Sequence, residues 1–269
     1  MNPIRSILVH VDGTAASAVR VAMARELAAQ QSAVVTALYA VTRNPLPVPF
    51  VDPLPCAAER RDRARAIFDE ALKAPGCSVT WTELGVDSEE IGGFVRHALC
   101  CDLLVMGQHM AGDIASHDVP PNFTEAVMID SGKPAIIVPH SRKTGSTGRR
   151  IVIAWKSTRE SARAVACAMP LIRCASRVHL VHWREADDDV QSLDDIERHL
   201  RLHDVEAMRD ELVRANSGVG DAIVSFASDI DADLIVMGCY GHRRLREIVL
   251  RGATRDVLMS TSVPVFMTH

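Results

Sequence analysis

Short apolar runs rich in β-branched and aliphatic residues recur along the chain, separated by amphipathic or polar stretches. Ile7 to Val11, Leu103 to Met106 and Ala135 to Val138 are examples. Near-continuous apolar runs of this length suit strands of a parallel sheet covered by helices on both faces. Residues 6–12 are predicted as a strand, 15–30 as a helix with Val19, Ala22, Met23 and Leu27 on one face, and 33–42 as a strand. A helix near 57–73, a strand at 78–84 and a helix near 88–99 with its cap at Asp87 or Ser88 follow. Strand 103–107, a helix near 124–131 and strand 134–139 close the series. Further strands are predicted near 150–155, 177–183, 205–213, 233–238 and 263–268. Such alternation predicts an α/β fold of doubly wound parallel-sheet domains.

The pattern is duplicated. Ser6 to Thr14 resembles Arg150 to Thr158 at an offset of 144 residues, and Asp102 to Gly107 recurs as Asp233 to Gly238 at an offset of 131. Lys133 to Pro139 matches Val263 to Thr268 at 130. The offset shortens where the first copy carries a proline-rich insertion, Asn44 to Pro55, which suits neither helix nor central strand. A polar, glycine-containing stretch from Ser141 to Gly148 reads as the linker. The expected organisation is two tandem Rossmann-like domains, 1–142 and 149–269.

Open parallel sheets bind ligands beyond the carboxyl ends of their strands, so chemistry is expected after the first and fourth strands of each copy. In the second copy the fourth strand runs into Gly238 and Gly241, then Gly252-Ala253-Thr254 ahead of an amphipathic helix. Glycines let a backbone approach an anion, and a helix start offers free amides. These motifs resemble the universal stress protein family, across essentially the whole chain as two fused copies. The resemblance implies a stress-linked regulatory or binding module and, where the glycine signature is kept, binding of ATP or a related adenine nucleotide such as AMP. It further implies an acidic residue ending the first strand near the nucleoside, and dimerisation through the last strand.

Each copy departs from that signature. In the second, Arg251 stands where a glycine is expected and is followed by Gly252; it contacts a phosphate or pairs with Glu247 on the surface. Lys156 replaces the strand-one acid, and either neutralises a phosphate or only solvates the crevice mouth. In the first copy Asp12-Gly13-Thr14 keeps the acid and Gly107 ends strand four. Met110 replaces the second glycine there, Pro121 and Asn122 align with Arg251 and Gly252, and Asp113 and Asp118 add charge that repels phosphate. The expectation is a weakened nucleotide site in the second copy (Gly238, Gly241, Arg251, Gly252, Ala253, Thr254, Lys156) and a vestigial one in the first (Asp12, Gly13, Gly107). The rival reading is a nucleotide-free protein-interaction scaffold; a weak ATPase ranks third, because no nucleophile–base arrangement is evident.

Other candidates carry less. His199 and His203 have metal-compatible spacing without a third ligand, and His179 and His182 face opposite ways on a strand. His109, His117 and Asp118 could form a polar cluster for acid–base chemistry. Thr124 and Thr254 occupy equivalent positions, which favours helix capping.

A formal net charge of −4 and only 4% aromatic residues exclude a strongly basic nucleic-acid binder. No apolar run approaches the ~18 residues of a membrane helix, and the N-terminus lacks a signal-peptide core. Seven cysteines without a CxxC fit a reducing cytoplasm, and the adjacent Cys100 and Cys101 read as packing residues rather than a redox sensor. The apolar last strands, 135–138 and 263–266, are expected to pair within one chain as an intramolecular pseudo-dimer, with a homodimer of whole chains a further expectation.

Overall fold

Aliphatic runs become strands wherever both of their faces can be covered. The computed structural model describes residues 3–42, 56–85, 89–109, 118–143, 145–183, 190–212, 218–239 and 253–269. They fall into two compact units, residues 2–133 with 142–145 and residues 134–141 with 146–269.

The first unit contains β1 (Ser6–Val11), α1 (Ala16–Gln31), β2 (Val34–Tyr39), α2 (Ala57–Leu72), β3 (Val79–Glu83), α3 (Glu90–Ala98), β4 (Leu103–Gly107) and α4 (Phe123–Ser131). Its strands run parallel in the order β3-β2-β1-β4, with Ile7 opposite both Val35 and Leu103. Central β1 is buried from Ile7 to Val11, as expected of a strand covered on both faces.

The second unit contains β5 (Ala135–Val138), β6 (Arg150–Ala154), α5 (Arg159–Ile172), β7 (Arg177–Trp183), α6 (Val190–Arg201), β8 (Met208–Leu212), α7 (Val219–Asp229), β9 (Leu234–Gly238), α8 (Ala253–Ser260) and β10 (Val265–Thr268). Here the order is β5-β10-β9-β6-β7-β8. All neighbours are parallel except β5 and β10, which pair antiparallel with Phe266 opposite Ile136. The last strand of the first repeat thus packs with the second unit, and its four residues are buried. Among the described residues no helix is long and apolar enough to cross a membrane.

Two sequence expectations change. The buried stripe of α1 runs through Ser17, Arg20, Val21, Ala24, Leu27 and Ala28, so Val19 and Ala22 lie at its margin, half-buried. Burial of Arg20 and Arg25 shifts the stripe: each guanidinium finds oxygen partners inside the unit. Helix α3 starts at Glu90 with Glu89 at the cap position and no side-chain cap; Asp87 and Ser88 lie outside the described residues.

One device recurs at the amino ends of both sheets. Asp102, just before β4, accepts hydrogen bonds from the backbone amides of Arg5 and Ser6, each at 2.9 Å. Asp233, just before β9, accepts from the amides of Gly148, Arg149 and Arg150 at 3.0, 3.0 and 2.9 Å. Gly148 has φ +82°, a conformation that L side chains rarely adopt. Each aspartate pins the start of the repeat's first strand to that of its fourth. A charged acceptor satisfying several amides is among the stronger hydrogen-bonding arrangements. Asp233→Ala is therefore expected to cost about 3 kcal/mol, and Asp102→Ala less, because it frees fewer amides. Urea unfolding of the two variants against wild type checks the size and the order.

Candidate functional site

The carboxyl ends of β1 and β4 bring the candidate residues of the first repeat together. Asp12 is almost fully buried there, although its carboxylate is charged. Arg20, one helical turn into α1, reaches Asp12 Oδ2 with Nη2 at 2.8 Å, and donates from Nε to the His10 carbonyl at 2.9 Å. Asp12 Oδ1 accepts from the Thr14 amide at 2.8 Å, from the Thr14 hydroxyl and from Ser17 Oγ at 2.8 Å. Burial alone would push the Asp12 carboxyl up, but Arg20, His10 and Thr14 together hold it at about 2. The same Arg20 covers Gly107: a Cβ built on that glycine would stand 2.5 Å from Arg20 Nη1.

A second ion pair lies beside the first. Asp118 Oδ1 accepts from Arg60 Nη1 of α2 at 3.1 Å, and Asp118 Oδ2 accepts from the Gly13 amide at 3.3 Å. Arg60 also donates to the Thr42 carbonyl at 2.8 Å, and the Thr42 amide donates to the Asp118 carbonyl. Burial pushes the Asp118 carboxyl up, against the pull of Arg60. Asp12, Gly13 and Gly107 are thus brought together, and the space around them is taken by the chain's own charged groups. The Gly13 amide is thus met by a carboxylate of the chain itself.

Thr124 does not cap a helix. Asn122 is at the cap position of α4 without a side-chain bond, and Thr124 Oγ1 instead donates to the Gly107 carbonyl at 3.0 Å, tying α4 to the end of β4.

The equivalent end of β6 and β9 in the second unit is built differently. Lys156 is exposed, with Nζ 6.0 Å from the centre of the Trp183 ring. Thr158 caps α5, its hydroxyl accepting from the Ser161 amide at 3.2 Å. Gly238 is required by packing: a Cβ there would stand 2.5 Å from Glu160 C and Ser161 N, inside the backbone of α5's first turn. Cys239 is buried, and its amide donates to the Thr268 carbonyl at 3.0 Å. Thr254 is half-buried within α8, which begins at Ala253.

The sequence matches the model of the Universal stress protein family over residues 3–139 and again over 148–269. The chain belongs to that family. Universal stress protein Slr1230 of Synechocystis sp. is 28% identical over 88 residues, which are 33% of this chain and 31% of that protein. The match therefore spans about a third of that relative's length. The crystal structure of a universal stress protein from Archaeoglobus fulgidus covers 98% of this chain and 95% of its own, at 18% identity and a TM-score of 0.75. The functionally unknown protein PA1789 from Pseudomonas aeruginosa covers 98% and 92%, at 15% identity and a TM-score of 0.60. Both likenesses concern the fold.

Within this universal stress protein, Gly241, Glu247, Arg251 and Gly252 lie outside the described residues, as do Met110, Asp113, His117 and the stretch from Asn44 to Pro55. His179 is a satisfied core histidine, its Nδ1 2.9 Å from Asp210 Oδ2. His199 and His203 face one another with ring centroids 4.7 Å apart. Among the described residues no group of three or more metal-ligating side chains assembles. Burial raises the Cys101 thiol to about 12, so it is inert near neutral pH.

Sequence reasoning missed Arg20 and Arg60, the residues that fill the first crevice. Both lie in apolar helical stripes, Arg20 between Ser17 and Ala24, and Arg60 at the head of Arg60, Ala64 and Phe68. A charged residue in phase with a buried stripe was the available signal.

His10 adds a pH dependence to the first crevice. Its Nε2 donates to the Ala40 carbonyl at 2.8 Å, and Phe94 and Phe123 pack against the ring. Burial lowers its pKa from 6.5 to about 4. Below pH 6.5 the unfolded chain takes up the proton first, so stability falls as pH drops from 6.5 towards 4. Asp12 extends the loss below pH 3.8. Asp118, with its raised pKa, opposes it in acid. Stability is expected to drop by about 2 kcal/mol from His10 between pH 7 and pH 5. Urea titrations at both pH values check this: His10→Gln should flatten the dependence, and an unchanged slope contradicts it.

Proposed function

We propose that this universal stress protein is a regulatory or binding module rather than an enzyme, with one adenine-nucleotide site per chain, in the second repeat. The carrying observation is the contrast between the two crevices. In the first, Asp12 and Asp118 are committed to Arg20, Arg60 and the Gly13 amide, so these groups already have their partners within the chain. In the second, Lys156 is exposed at the end of β6 and brings positive charge to the mouth.

The site would be formed by Lys156, Gly238, Gly241, Arg251, Gly252, Ala253 and Thr254. Gly238 seats the start of the loop against α5, while Gly241 and the amides leading into α8 meet the phosphates. ATP or AMP is the nucleotide class, and the lack of a strand-one acid at Lys156 accounts for a weakened hold on the nucleoside. That same substitution favours the second reading, a nucleotide-free interaction scaffold. The free state of all seven cysteines supports a reducing, cytoplasmic setting. The β5–β10 pairing supports an intramolecular pseudo-dimer made through the last strands, and a homodimer of whole chains is a separate proposal.

Nucleotide released on denaturing the purified protein, followed by calorimetric titration with ATP, ADP and AMP, tests the reading. One bound nucleotide per chain is expected, weakened about tenfold or more by Gly241→Val and unchanged by Arg63→Ala, a change at an exposed position of α2 in the first repeat. No binding at millimolar ligand leaves the scaffold reading. Binding indifferent to Gly241→Val removes the assigned site.

A further inference from the structure

In the second unit β7 and β8 lie to one side of β6, and β9 and β10 to the other. The strand order therefore reverses between β6 and β9, the place where open parallel sheets hold ligands. Lys156 stands at that reversal, two residues past the end of β6. A tight turn holds its backbone: the Thr158 amide donates to the Lys156 carbonyl at 2.7 Å, and the Thr158 hydroxyl caps α5. The preceding Trp155 is fixed as well. Its amide donates to the Val181 carbonyl of β7 at 2.9 Å, and its indole N–H to Ser192 Oγ of α6 at 3.1 Å. From this fixed base the Lys156 side chain leans towards β7, with Nζ 6.0 Å from the centre of the Trp183 ring, the outer limit of a cation–π contact. The ammonium is thus on the flank opposite to β9, and the residue is exposed.

We propose that Lys156 selects an adenine nucleotide carrying a second phosphate on its ribose, at the 2′ or 3′ oxygen. Lys156 would thereby set the specificity of the nucleotide site proposed above, on which this role rests. A nucleotide whose 5′-phosphates meet the amides leading into α8 on the β9 flank, with its base towards the end of β7, lays its sugar over β6. Lys156 leans away from the 5′-phosphates, so its charge acts on the sugar. An ammonium has three donors and no acceptor. A plain ribose offers it only neutral hydroxyls, whereas a ribose phosphate forms a charge-assisted hydrogen bond, roughly twice as strong. The first repeat carries an acceptor, Asp12, at the equivalent position. In dinucleotide-binding sheets an acid beside the ribose reads a sugar hydroxyl and a base there accommodates a sugar phosphate. Because Lys156 is exposed, salt screens the pair and the gain is moderate.

Calorimetric titration of the full-length protein at low, constant ionic strength tests this. Adenosine 3′,5′-bisphosphate and adenosine 2′,5′-bisphosphate are compared with ADP, which carries as many phosphates, all on the 5′ oxygen. At least one bisphosphate is expected to bind about fivefold or more tightly than ADP, and the tighter one identifies the sugar oxygen. Lys156→Gln is expected to bring the ratio of the two affinities close to one, Lys156→Arg to keep it, and Lys156→Asp to reverse it in favour of ADP. The position is exposed, so these changes leave the core intact. ADP binding as tightly as both bisphosphates overturns the role of Lys156 and leaves the nucleotide site standing. A preference that survives Lys156→Gln also overturns it, since another group then reads the sugar phosphate. No binding of any of the three at millimolar ligand overturns the nucleotide site itself, and this role with it.

Discussion

The buried pair of Arg20 and Asp12 decides what the first repeat is. Its two charges are removed from water together, each almost fully covered, and each is made tolerable by the other and by the surrounding hydrogen bonds. Arg20 ties α1 to the end of β1 through Asp12 and the His10 carbonyl, and rests on Gly107 at the end of β4. His10 remains neutral beside it. With the guanidinium in place, the crevice at the sheet's carboxyl edge becomes part of the core.

The second repeat shows the alternative. At the offset of its first strand, Asp12 corresponds to Lys156 and Arg20 to Ala164, so both partners of the pair are absent together. Lys156 is exposed and Ala164 is completely buried. Gly107 and Gly238 are equivalent, yet different groups fill the hollow left by each missing side chain. In the first repeat the filler is the end of Arg20; in the second it is the backbone of α5's first turn. In the second repeat α5 thus meets the end of β9 with its backbone, whereas in the first α1 meets the end of β4 through a guanidinium.

Much of the fold was legible because it rests on one-dimensional signals. The strands are short aliphatic runs, the duplication is visible in Asp102 to Gly107 and Asp233 to Gly238, and the two leading aspartates turn out to pin their sheets. What stayed hidden depends on three-dimensional partners. Arg20 and Arg60 look like solvated helix residues until their buried oxygen partners are known. Thr124 resembles a cap, but its hydroxyl is drawn to the Gly107 carbonyl. Gly238 was legible as a point of close backbone approach, though the backbone that approaches is the protein's own. Strand β5 belongs in sequence to the first repeat and in space to the second unit, because its antiparallel partner is β10.

A double-mutant cycle on Asp12→Asn and Arg20→Met, followed by urea unfolding at pH 7, addresses the dependence of the first crevice on this pair most directly. Each single change strands a buried polar or charged group, while the double change removes both. The account predicts a coupling free energy of at least about 2 kcal/mol, with the double variant no less stable than the worse single one. Single effects that add to within about 0.5 kcal/mol would contradict it.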